Sequence, residues 1–321
     1  MTTGQEKAKI LSKIWKKNKK KKRKCLAPEC YATAINSHLL QKKGILSQLQ
    51  KDGKISVLGH NSFFSLKNFL KIETVGLNAA MSLNLFCSYH DDDLFSEVEK
   101  RDFNEYEYQT QLLFSYRSVC CELRKKQIQF ENTSEVCRNE RMTQLSNEDA
   151  LNNMIVLSTG FQMGIRDLLI FKSALERDLY YDEEDSFQFY TYTFNKLGVC
   201  CSAFFSPTNI YTDPIQFDPF DGIIVNVFPH NNKTTIIIGY HKSFNSPWIT
   251  DYCNKFGHMT ELDFEYAISN LLIKRCETWA MSPYLLQSMS EKKKQQLLTE
   301  FKKDVMNLEE NMKSSINIFK N

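Results

Sequence analysis

Glycine is scarce in this chain, 11 of 321 residues, and the few present build no phosphate-cradling loop and no Walker signature. A Gly-x-Ser-x-Gly nucleophile elbow and a His-Glu-x-x-His helix are also missing, which removes several common hydrolase and nucleotide-binding classes. No apolar run approaches the roughly 20 residues that cross a bilayer, and the basic N-terminus lacks the apolar stretch of a secretory signal. The expected compartment is the cytoplasm, with no membrane partner. No internal repeat is evident. Present in quantity are the makings of a buried core, 42% hydrophobic residues with 12% aromatics. The ten cysteines include two adjacent pairs in apolar stretches, Cys120-Cys121 and Cys200-Cys201, which are awkward to bridge. Reduced thiols plus one metal site fit better than a disulfide framework.

A net charge of +3 conceals an asymmetry. Residues 1–24 hold eleven Lys and Arg against one acid, Glu6, so this segment carries +10 and the rest of the chain −7. It reads as a basic arm, with an added short helix through Ile10, Leu11 and Ile14. Its densest stretch, Lys16, Lys17, Lys19, Lys20, Lys21, Lys22, Arg23 and Lys24, suits nucleic-acid phosphates, a contact that is salt-dependent and indifferent to sequence. A solvated tail has the same composition.

Cys25 and Cys30 are separated by four residues, and Cys87 and His90 by two. A structural zinc takes four tetrahedral ligands, commonly as two close pairs, because each short loop aims two side chains at one point without strain. Pro28 stiffens the first loop. The strand-like "MSLNLF" meets "DDDLFSEVEK" at the second pair, which puts His90 at the start of a helix with Asp91 to Asp93 where carboxylates suit its dipole. Neither Cys25 nor Cys30 lies on an apolar face, unlike ordinary buried cysteines. Cys137, Cys253 and Cys276 have no ligand partner close in sequence.

The cysteine pair, the strand "AINSH" and the helix-opening Cys87/His90 pair together resemble the treble-clef zinc fold, in particular HNH-type endonucleases. The resemblance covers about residues 25–95. It implies a structural Zn²⁺ on Cys25, Cys30, Cys87 and His90, with His38 in the general-base position. A second divalent cation, Mg²⁺ or another, would be held with the help of Asp91, and Asn61 in "GHNSF" would be the middle asparagine. Ser37 stands where the family has a metal-binding Asp, and Asp91 where it often has His. Treble clefs also serve as purely structural modules. The whole layout resembles bacterial proteins associated with phage defence. For His38, the other roles are a hydrogen-bonded support of the finger or a fourth ligand in place of His90.

Beyond residue 95, apolar residues recur at helical spacing from Asp92 through Ile128, with a break near residues 102–104. The polar segment 133–150 is linker or exposed helix, and a strongly apolar helix spans about 147–180. The period then changes to two. "SFQFYTYTF" and "GVCCSAFFS" read as strands, and "GIIVNVFPHNNKTTIIIGYHK" as a hairpin turning at Pro229 to Asn232. Helices return from Glu261. Arg117 and Glu122 are candidates for a buried ion pair. Asp213, Asp218, Asp221, His230 and His241 cluster in sequence, but their Asp-Pro and Asp-Gly pairs are what turns require. The expected fold is α+β. Its parts are a basic arm (1–24), a treble-clef-like zinc subdomain (25–95), a helical region (96–182) and a C-terminal antiparallel sheet with flanking helices (183–321). Two functions follow: a zinc-containing nucleic-acid-associated protein, with HNH-like nuclease activity as its catalytic form, or a non-catalytic zinc-stabilised module that recognises a protein or small ligand.

Overall fold

The computed structural model describes residues 2–60, 70–100, 102–181, 185–206, 219–306 and 316–320. Asn61, Asp213 and Asp218 lie outside them. In chain order the elements begin with α1 (Thr3–Lys20), β1 (Asn36–His38), β2 (Lys54–His60), β3 (Leu70–Gly76), β4 (Ser82–Asn84) and α2 (Ser88–Asp93). A long helical hairpin follows, α3 (Tyr108–Cys137) and α5 (Glu148–Tyr181), with α4 (Glu140–Leu145) at its bend. Next come β5 (Phe187–Asn195), β6 (Val199–Phe205), β7 (Ile223–His230), β8 (Lys233–His241), α6 (Pro247–Asn254), α7 (Glu261–Lys274), β9 (Trp279–Met281), α8 (Pro283–Ser288) and α9 (Glu291–Met306).

The fold is α+β, built on one antiparallel seven-stranded sheet in the order β3-β2-β9-β6-β7-β8-β5. Strand β7 is buried at every position, which is why its sequence is a nearly continuous apolar run: both faces are covered. Ile224, Phe228 and Ile237 face one core with α3 and α5, while Ile223, Val225, Val227, Ile236 and Ile238 face a second core with α6, α7 and α9. The β7–β8 turn sits at Asn231 (φ 45°) and Asn232 (φ 59°), two left-handed residues that match strand twist in a two-residue hairpin. Pro229 belongs to the strand, beyond the last β6 pair at Val227, so its missing N–H breaks no ladder bond.

Several expectations are revised. Strands β2 and β3 do not stay with the N-terminal subdomain: β2 pairs with β9 at Ser56–Met281 and Val57–Ala280 and so joins the C-terminal sheet. Of the two readings of the polar segment 133–150, the helical one holds, because Asn139 caps α4 (Met142 N–H, 2.9 Å) and Asn147 accepts from Ala150 N–H (3.2 Å) at the start of α5. Within the segment read as a basic arm, Thr3–Lys20 form a docked helix. Thr2 and Gln5 form a capping box, and Ile14 packs on Val136 and Met142. Three ion pairs fasten the helix and its exit to α3: Lys17–Glu135 (2.8 Å), Lys21–Glu131 (3.0 Å) and Arg23–Glu131 (2.8 Å). Among the described residues, α5 alone is long and apolar enough to cross a membrane by length and composition. Its C-terminal half is a core helix, with Leu168, Phe171, Ala174 and Leu175 buried against α3.

Candidate metal centre

Four short pieces of chain are stitched into one corner. The turn after α1 folds back on itself through Cys25 N–H to Ala32 O (2.9 Å) and Ala34 N–H to Arg23 O (2.8 Å), with Glu29 in the left-handed region at φ 53° just before Cys30. That loop is tied to the segment ahead of α2 by Leu26 N–H to Leu85 O (2.9 Å) and Ile35 N–H to Phe86 O (2.7 Å). Strand β1 pairs antiparallel with β4 from Asn36–Asn84 to His38–Ser82, and buried Ser37 accepts from the Phe86 N–H at 3.2 Å. Cys87 is the N-cap of α2 and His90 lies in its first turn.

These bonds bring Cys25, Cys30, Cys87 and His90 together, with all four ligand atoms within 4.8 Å of one another. Cys25 Sγ is 3.7 Å and Cys87 Sγ 3.2 Å from His90 Nδ1, and the Cys30 and Cys87 sulfurs are 3.8 Å apart. The four can hold a metal ion. None of the ten cysteines is in a disulfide. Burial pushes the Cys25 thiol up to about 11. At Cys87 burial acts the same way, but hydrogen bonds from the His90 amide and ring and from the other two cysteines outweigh it and bring the thiol down to about 7. Of these two thiols Cys87, at the head of α2, is therefore the readier to lose its proton, and a dication would favour the thiolate at both.

The expected catalytic residues do not converge in the same way. His38 Nε2 is 3.0 Å from the Leu77 carbonyl oxygen, so that nitrogen is engaged by backbone. Asp91 turns toward the core: its Oδ1 is 3.8 Å from Arg117 Nη2, and burial raises its carboxyl against the pull of that guanidinium and of Ser37. Arg117, expected opposite Glu122, instead bonds Glu99 at 2.7 Å and stacks over the Phe95 ring at 3.9 Å, while Glu122 pairs with Lys125 at 2.8 Å. His230 lies beside Glu105 (3.3 Å) and stacks on Phe103, far along the fold from His241, which packs on Phe244. Sequence reasoning passed over Arg117 as a support of the α2 segment; its place on an apolar helix was the available signal.

Of the expected phosphate contacts, Lys17, Lys21 and Arg23 are in ion pairs, Lys19 lies over Trp15 (5.8 Å) and Lys24 over Tyr31 (4.9 Å). Lys16, Lys20 and Lys22 are exposed and make no ion pair with the described residues, as do Lys9 and Lys13. Comparison of the chain with known protein families, with curated proteins and with solved structures finds no match.

Proposed function

We propose that the chain is a zinc protein whose Cys25, Cys30, Cys87 and His90 form a structural site of treble-clef type, and that it associates with nucleic acid without cleaving it. The convergence of those four ligand atoms carries the reading. A tetrahedral zinc with Zn–S near 2.3 Å and Zn–N near 2.05 Å has sulfur–sulfur edges of about 3.8 Å and sulfur–nitrogen edges of about 3.6 Å. The observed separations, 3.8 Å between Cys30 and Cys87 and 3.2 and 3.7 Å to His90, fit that edge set. Four protein ligands leave no open position, which favours a structural over a catalytic role.

Support for nucleic acid comes from α1. Lys9, Lys13, Lys16 and Lys20 recur at spacings of four, three and four, so they form one stripe of about 16 Å on the face opposite Ala8, Ile14 and Asn18. Elemental analysis of purified protein should give about one zinc per chain, absent from Cys25→Ala and Cys87→Ala; a folded wild type without zinc sinks the proposal. Replacing the four stripe lysines with Gln should flatten the log–log salt dependence of duplex binding by about 3 to 4 units, close to 0.9 per lysine.

The nuclease reading stands second, favoured by His38 lying on β1, whose antiparallel partner β4 leads into the Cys87/His90 segment. It requires Mg²⁺-dependent cleavage by wild type that His38→Ala abolishes without loss of zinc. Absence of cleavage by both proteins leaves the binding role.

A further inference from the structure

Two tyrosines stand on the ligand loops themselves. Tyr31, directly after Cys30, is 79% exposed, more than any other large hydrophobic side chain among the described residues, and Tyr89, between Cys87 and His90, is 66% exposed. Rings of this size normally find cover. Both are rooted within two residues of cysteines whose sulfurs are 3.8 Å apart, so the two loops that carry them meet at the Cys/His cluster. Neither ring is loose: Lys24 Nζ sits 4.9 Å from the Tyr31 centroid, and Tyr89 meets the His90 ring edge-on at 5.1 Å. Ile35, 44% exposed and tied through its N–H to Phe86 O at 2.7 Å, adds an apolar side chain beside the second loop.

Preorganised rings next to lysines are the elements of a single-strand binding surface, since every base has a face to stack and every linkage a phosphate to neutralise. Charge sets the direction. Lys24 lies against the Tyr31 ring and Lys22, two residues before Lys24, is exposed, whereas Asp92 and Asp93, three and four residues beyond Tyr89 on α2, share its side of the helix and repel phosphate. We propose that this face binds unpaired bases of single-stranded nucleic acid, one base stacking on Tyr31 and one on Tyr89, with the backbone running past Lys22 and Lys24. The inference rests on the nucleic-acid role proposed above and names its preferred form. An apolar protein segment would fit the rings but would leave the adjacent lysines without a counter-charge.

The test is fluorescence anisotropy of a labelled twelve-nucleotide oligothymidylate and of a twelve-base-pair duplex, using the zinc-loaded full chain at 50 mM salt. Tyr31→Ala and Tyr89→Ala should each weaken single-strand binding by roughly 5- to 150-fold, the range for losing one base–aromatic stack. Tyr31→Phe and Tyr89→Phe should bind as wild type, because stacking needs the ring and not the hydroxyl. Duplex affinity and zinc content should be unchanged in all four. Single-strand binding unaffected by the Ala variants, or duplex binding reduced equally, overturns the stacking surface while leaving the nucleic-acid role intact. Wild type that binds neither oligonucleotide overturns both.

Discussion

At the scale of the residue, Arg117 shows how a helix face selects partners. Glu122 lies five positions further along, a rotation of about 140° around the helix, so the two side chains leave α3 on different sides. Arg117 is instead only 2% exposed and held between Glu99, Asp91 and the Phe95 ring. Removing it would leave the buried Oδ1 of Asp91 without that nearby cation. Arg117→Met should therefore lower stability by about 3 kcal/mol, the low end for breaking a buried pair, because Glu99 still reaches water. Urea unfolding should show the midpoint falling with an unchanged slope; a variant as stable as wild type would mean the cluster contributes specificity only. The convergence of Cys25, Cys30, Cys87 and His90, in contrast, is legible from spacing alone, since two short loops limit where four side chains go. His38's partner was not, because the Leu77 carbonyl is 39 residues away in sequence.

At the scale of the element, α1 was read as an arm because its lysines dominate its composition. Its docking depends on sparse residues, Ala8, Ile14 and Asn18, and on acids contributed by α3, which no local pattern in 1–24 reveals. Glu131 is the hinge of that attachment. Burial opposes its charge, but Arg23 and Lys21 outweigh this and hold its carboxyl below 4.5. A depressed carboxylate gives its full stabilisation above 4.5 and loses it as pH falls through the lower folded value. Amide protection factors in residues 8–20 of wild type, corrected for the intrinsic exchange rate at each pH, should accordingly fall on acidification below about pH 4.5. In Glu131→Gln, exchange should already be faster at pH 7, by the equivalent of about 1.5–3 kcal/mol for a lost charged hydrogen bond, because Arg23 is buried. Unchanged exchange in the variant would show that apolar packing alone seats the helix.

Over the whole molecule, the metal corner is not a separate domain. Cys25, Ala27, Leu85, Phe86 and Phe95 belong to the same apolar cluster as Leu112 and Val119 of α3 and Phe228 and Ile237 of the sheet. If the cluster carries zinc as proposed, chelation should therefore move one cooperative thermal transition downward, seen alike by far-ultraviolet dichroism and by tryptophan emission, which includes buried Trp279 of the sheet. A first step confined to residues 25–95, followed by melting of the sheet at its metal-loaded temperature, would contradict this. The α+β class and the β7–β8 hairpin were legible because they follow local periodicity and turn chemistry. The membership of β2 in the sheet was not, because it depends on a meeting with a segment more than 200 residues later.

That meeting has a consequence in time. Strand β2 is a neighbour of β9, three residues long, and β9 is also what connects it to β6. On a ribosome adding roughly 5–20 residues per second, the partner of Val57 emerges about 10 to 45 seconds after Val57 itself. Throughout synthesis, then, the side of β2 that β9 will cover stays open, and the last short strand acts as the keystone that joins the β2–β3 pair to the rest of the sheet.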